Sequence, residues 1–154
     1  MNPPTAPADG PAGREMISTR VFSAPPAAVF AAFADPVRLA QWWGPNGFTN
    51  SIHEFDFRPG GHWRLTMHSP DGAAYPNESV FTEVVPASRI VFRHLEQVHA
   101  FEMTMTFALQ AGGTALTWRM LFDSADEANR VRAFVLPANE QNFDRLASHL
   151  RAHR

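Results

Sequence analysis

From about residue 49 to residue 122 the chain is written in a period of two. Short segments rich in Phe, Val, Ile, Thr and Trp are separated by Arg58-Pro59-Gly60-Gly61, Ser69-Pro70-Asp71-Gly72, Pro86-Ala87-Ser88, a turn near 97–100, and Gln110-Ala111-Gly112-Gly113. Pro-Gly and Asp-Gly pairs supply the backbone angles that tight turns need. Six successive strands with short connections make an antiparallel meander. Alternation assigns the faces. Trp63, Leu65 and Met67 oppose His62, Arg64, Thr66 and His68. Phe101, Met103, Met105, Phe107 and Leu109 oppose Glu102, Thr104 and Thr106. Leu116, Trp118, Met120 and Phe122 oppose Thr117 and Arg119.

The flanks switch to helical period. Residues 15–23 read as a further strand. Ala24-Pro25-Pro26 opens a short helix bearing Val29, Phe30 and Phe33, and Asp35-Pro36 opens a second, ending at Gly44-Pro45. Proline is tolerated in a first helical turn, and an aspartate before it caps the free N–H groups. After the meander, Ser124 and Glu127 have capping-box spacing. An apolar stripe follows at Val131, Val135, Asn139, Phe143, Leu146 and Leu150, with Pro137 expected to kink or split the helix. A sheet with one apolar face needs a cover. The expectation is an α+β fold: a curved antiparallel sheet of about seven strands around a long C-terminal helix. The inward aromatics exceed what one helix covers, which points to an enclosed pocket.

Composition trims the function classes. The 154 residues suit a single domain, placed at 14–154, and 1–13, with four Pro and two Gly, read as a disordered tail. Cysteine is absent, which removes disulfides and thiolate chemistry. All thirteen Lys/Arg positions are Arg, so lysine Schiff bases and lysine general bases are excluded. A net charge of −2 gives no basic field for nucleic acid. No apolar run approaches the roughly 20 residues of a membrane helix, and no secretion signal is legible. A cytoplasmic protein is expected.

The words themselves resemble a known superfamily. They are Ala24-Pro25-Pro26 with Val29 and Phe33, Asp35-Pro36, Gln41-Trp42-Trp43-Gly44-Pro45 with Gly47-Phe48-Thr49, and Phe55-Asp56-Phe57-Arg58-Pro59-Gly60-Gly61-His62-Trp63. Pro70-Asp71-Gly72, Tyr75-Pro76-Asn77, Glu83-Val84-Val85-Pro86, Arg89-Ile90-Val91-Phe92 and the run from Asp144 to Leu150 follow in order. This pattern resembles the helix-grip superfamily (Bet v 1-like, START-like, SRPBCC), in the branch related to the C-terminal domain of the activator of Hsp90 ATPase. The resemblance implies a cavity between sheet and long helix that holds lipids, hormones, polyketides or other apolar molecules. It implies no shared reaction.

Binding of a small apolar, lipid- or polyketide-like molecule is therefore the first functional expectation. The pool of lining residues is Trp42, Trp43, Phe55, Trp63, Met67, His94, Met103, Met105, Trp118, Phe134, Asn139 and Phe143. Of the paired tryptophans, one is expected to pack into the core and the other to close over it, with at least one at the pocket mouth in the ligand-binding reading. Asn139 interrupts the apolar stripe, and two orientations are open to it: into the cavity, or turned to solvent by Pro137. Arg58 has Asp56 as its same-face neighbour and an ion pair between them is expected.

Two further functions are weighed. A cyclase or hydrolase would use His94 as general base with Glu78 turned inward by a bulge. It requires both side chains in one pocket. No Ser-His-Asp order, G-x-S-x-G or phosphate loop supports catalysis beyond this pair. A co-chaperone-like interaction is third, because a short tail stands where the eukaryotic activator has an N-terminal domain. No cofactor or metal is expected. His149 and His153 have helical ligand spacing, but two ligands without a third make no site. A homodimer is compatible with the sequence.

Overall fold

The computed structural model describes residues 11–96 and 100–153. The expected tail lies outside the described residues over 1–10, and Pro11–Arg14 forms one helical turn, α1. The order then runs β1 (Glu15–Phe22), α2 (Pro26–Ala34), α3 (Pro36–Trp42), β2 (Thr49–Phe55), β3 (His62–His68), β4 (Ala74–Val85), β5 (Arg89–His94), β6 (Phe101–Gln110), β7 (Gly113–Phe122) and α4 (Ala125–Ala152). All seven strands form one antiparallel sheet in the order β1-β7-β6-β5-β4-β3-β2. The turn expected near 97–100 falls largely outside the described residues.

Local signals set the boundaries. The Asp35 carboxylate accepts from the Val37 N–H at 2.9 Å and starts α3. The Ser124 hydroxyl accepts from the Glu127 N–H at 3.1 Å and starts α4. Asp126 and Glu127 in the first turn and His149 and Arg151 in the last complement the helix dipole. Pro137 does not divide α4, which runs unbroken for 28 residues. Its ring removes one backbone donor from an exposed position, and packing of the flanking stripe against the sheet holds the helix together.

The concave face of the sheet is covered in two parts. α2 and α3 lie over one end, where Phe33, Leu39, Phe55, Phe81, Ile90 and Met105 pack tightly. α4 crosses the other end, with Phe143 and Leu146 fully buried against β1 and β7. Phe143 meets Phe22 edge-on and Trp118 at a tilt, with ring centroids 6.0 and 4.7 Å apart. Outside the grip, Arg20 on β1 reaches Glu140 and Asp144 on α4 at 2.8 and 2.5 Å. Among the described residues no helix is long and apolar enough to cross a membrane.

The Arg58-Pro59-Gly60-Gly61 turn is structural. The Gly60 N–H donates to the Phe81 carbonyl and the Phe81 N–H to the Gly61 carbonyl, at 2.7 and 2.9 Å. A Cβ on Gly61 would overlap the Asp56 carbonyl oxygen, so only glycine fits. Arg58 pairs with Asp56 at 2.9 Å, as the same-face spacing predicts.

Candidate functional site

The site begins with a turn that α4 holds from behind. α3 ends at Trp42, whose indole N–H donates to the Ala32 carbonyl at 3.1 Å. That bond and 1% exposure make Trp42 a core residue. The extended backbone of Trp43 then reverses the side-chain direction, and Trp43 faces the interior between Trp63 and Trp118, with centroids 5.0 and 5.4 Å away. Gly44 takes φ +101°, a conformation costly for other residues.

Three side chains of α4 bind this turn. The Asn142 oxygen accepts from the Gly44 N–H at 3.1 Å, and its amide donates to the Trp42 carbonyl at 2.9 Å. The Arg145 guanidinium donates to the carbonyls of Trp43, Gly44 and Pro45, each at 3.0 Å, and to that of Gln41 at 3.1 Å. Its partial burial pulls its pKa down from the usual arginine range. Gln141 accepts from the Asn46 N–H at 3.0 Å. The turn's backbone groups are thus paired by helix side chains in place of secondary structure. Sequence reasoning did not single out Asn142 or Gln141, since a lone amide on a helix normally reads as solvent-facing.

Under the turn lies a cavity of about 230 Å³ between the sheet and α4. Trp63, Leu65 and Met67 of β3, Phe92 and His94 of β5, Phe101 and Met103 of β6, and Trp118 and Met120 of β7 form its floor. Trp43, Gly44 and Pro45 close one side, and α4 roofs it with Phe134, Val135, Ala138, Asn139 and Asn142. Asn77 and Ser79 add the floor's amide and hydroxyl. A second, open depression shares Pro45, Met67, Phe134 and Ala138 with the cavity and adds Phe48, Pro70 and Tyr75. Phe134, 70% exposed, stands where the two meet. Asn139 is buried, not turned to solvent, and its amide donates to the Ser18 hydroxyl at 3.3 Å.

Eight of the twelve residues expected to line a pocket meet here: Trp43, Trp63, Met67, His94, Met103, Trp118, Phe134 and Asn139. Four do not. Trp42 and Phe143 are locked in the core, and Phe55 and Met105 lie at the end packed by α2 and α3. Alternation places a side chain on the inner face but says nothing about which stretch of that face is filled.

The sequence that builds this fold matches one family's model. The sequence model of the family described as "Activator of Hsp90 ATPase homolog 1-like protein" matches residues 23–151, from the first helix signal through the end of the α4 latch. The chain belongs to this family. Its fold is shared by solved structures of low identity. A protein from Nitrosomonas europaea is 18% identical with a TM-score of 0.84, over 93% of this chain and 97% of its own. One from Mycobacterium smegmatis is 24% identical, also at 0.84, over 95% and 96%. An AHSA1 protein from Silicibacter pomeroyi is 21% identical at 0.74, over 91% and 99%. No curated protein matches.

In this member of the AHSA1-like family the His94–Glu78 pair is not assembled. Ser79 is the strand partner of His94, so its neighbour Glu78 faces the opposite side of the sheet. There the Glu78 carboxylate meets His62 Nδ1 at 3.1 Å, half exposed. The strand irregularity expected to turn it inward lies instead between Phe81 and Glu83. His94 is buried beside the cavity, stacked on Phe101 at 4.8 Å, and within 3.2 Å of Glu96. His149 is occupied differently. Arg38 Nε donates to its Nε2 at 3.1 Å, so that lone pair is engaged. Burial, His153 and Arg38 together push its pKa down to about 4. Among the described residues no three His, Cys, Asp or Glu side chains cluster as metal ligands.

Proposed function

We propose that this protein binds a small apolar molecule in the cavity between the sheet and α4. The observation that carries the reading is the chemistry of the wall. Four aromatic rings of the sheet floor, Trp63, Phe92, Phe101 and Trp118, and three methionines, Met67, Met103 and Met120, surround the space, and among the described residues no carboxylate or guanidinium lines it. Aromatic walls give area and shape, and methionines adapt to irregular ligands. Ligand pockets are built in this way, apolar with a few placed polar groups. The open depression beyond Phe134 gives an apolar approach from solvent.

The test is a thermal-shift screen of neutral aromatic and aliphatic compounds, followed by native mass spectrometry of the hits. Binding should be lost in Ala138→Phe, which fills the roof of the cavity from α4. Retained binding in a folded Ala138→Phe protein would place the ligand elsewhere and sink the proposal. The description of the family also raises a co-chaperone role. Retention of Hsp90 on the immobilised protein would favour that role.

A further inference from the structure

Three tryptophans of this chain are almost completely buried, and their indole N–H groups are treated unequally. Trp42, outside the cavity, donates to the Ala32 carbonyl. Trp63 and Trp118 both line the cavity, at 4% and 1% exposure. Neither indole nitrogen has a hydrogen-bond partner, and each exposes less than 1 Å². Indole nitrogen is a donor only. Each such donor shut away from both water and an acceptor costs about 1–3 kcal/mol. Buried indoles normally find a partner. Both rings stand in the wall of one cavity, and a ligand there that brings an acceptor would satisfy a donor that the protein itself leaves unpaired.

The rest of the lining says what kind of molecule brings it. Among the described residues it contains no Asp, Glu, Lys or Arg, and the ionisable side chain there, His94, already has Glu96 within 3.2 Å. An anionic ligand would meet no guanidinium and would face that carboxylate, so the ionised form carries a desolvation cost that nothing offsets. A pure hydrocarbon would leave both indole donors unsatisfied. A volume of about 230 Å³ lies below the span of drug-sized sites, which suits a compound of one or two rings. We infer that the ligand is a neutral apolar carbonyl compound of that size, whose oxygen accepts from the indole N–H of Trp63 or of Trp118. The inference rests on the ligand-binding reading above and specifies the chemistry of that site. The nitrogens are covered in the structure, so a side chain in the wall must yield to admit the oxygen. Met67, Met103 and Met120, each with flexible torsions, supply that give.

The experiment uses three matched probes on the full chain: 2-acetylnaphthalene, the isosteric hydrocarbon 2-isopropenylnaphthalene, and 2-naphthoate. Affinities are measured by calorimetry, and the four tryptophan indole N–H signals are followed in proton–nitrogen spectra. The ketone should bind about tenfold more tightly than the hydrocarbon. It should also move the Trp63 or the Trp118 signal downfield while Trp42 stays in place, and the naphthoate should bind least. Phenylalanine at whichever of Trp63 and Trp118 carries the shifted signal should bring the ketone-to-hydrocarbon affinity ratio towards one. Equal binding of ketone and hydrocarbon, with no indole signal distinguishing them, overturns the inference and leaves the ligand-binding reading standing. Tightest binding of the naphthoate overturns the neutrality of the ligand. If none of the three binds while the broader screen finds hydrocarbon ligands, the carbonyl assignment fails alone. If that screen is also empty, the underlying reading fails with it. The indole shifts are read in the unsubstituted protein, so the test survives a variant that does not fold.

Discussion

Asn142→Leu is the substitution that most directly tests how α4 holds the Trp42–Pro45 turn. Asn142 is 4% exposed, and its amide spans two backbone groups, the Gly44 N–H at 3.1 Å and the Trp42 carbonyl at 2.9 Å. Leucine has a similar volume, so little cavity is created. Its cost comes from stranding a buried donor and a buried acceptor, about 1–3 kcal/mol each. Extra apolar burial returns about 1–2 kcal/mol. From the middle of these ranges the net loss is about 2.5 kcal/mol, or about 7–8 °C in Tm at ~3 °C per kcal/mol for a domain of this size. Gln141→Ala is the control. It removes a bond to the same turn, but one at an exposed position, and should cost less than about 0.5 kcal/mol. Calorimetry and urea unfolding of both variants give the comparison. Equal losses for the two, or a loss under about 1 kcal/mol for Asn142→Leu, would refute the claim that buried side chain-to-backbone pairing holds this turn.

Three other outcomes follow from the geometry. Gly61→Ala should destabilise by more than about 3 kcal/mol, because its Cβ would overlap the Asp56 carbonyl, whereas Gly60→Ala meets no atom and suffers only its positive φ; urea midpoints for the pair check the ranking. Phe143→Ala should lose about 3–5 kcal/mol, since the ring is fully buried between Phe22 and Trp118; a loss under about 2 kcal/mol would show that α4 collapses into the gap. His149 contributes a pH dependence of defined sign. Its folded pKa of about 4 lies below the ordinary 6.5, so the unfolded chain binds the proton first as pH falls. Stability from keeping it neutral is complete above pH 6.5 and drains away as the pH falls from 6.5 to about 4. In His149→Gln, which can still accept from Arg38, the stability-versus-pH slope across that window should be shallower; an unchanged slope excludes His149 as its source.

Periodicity carried a long way towards the fold and a shorter way towards the site. Turn clusters and two-residue alternation define the meander, and the caps at Asp35 and Ser124 were legible because both rest on contacts within three residues. Alternation also placed Trp63, Met67, Met103 and Trp118 on the inner face, where the cavity lies. It could not separate them from Phe55 and Met105, which share that face but lie beneath α2 and α3. Nor could it fix Glu78, whose direction depends on where in β4 the register slips. Asn142 and Arg145 were illegible as a latch, because their partners are backbone atoms about a hundred residues away in sequence.

The sequence by itself determined the seven strands, the starts of α2, α3 and α4, the apolar face of each, and the family, since these depend on short-range spacing and on words such as Trp-Trp-Gly-Pro and Arg-Pro-Gly-Gly. Only the tertiary structure decided which tryptophan is core and which is wall. Trp42 and Trp43 are adjacent and chemically identical, yet one donates to Ala32 while the other faces the cavity. The difference arises where the helix ends: one residue keeps helical geometry, the next is extended, and side chains of α4 about a hundred residues later hold the reversal in place. The same holds for the unpartnered indoles of Trp63 and Trp118. A sequence shows donors, but whether an acceptor lies within reach is settled by three-dimensional packing alone.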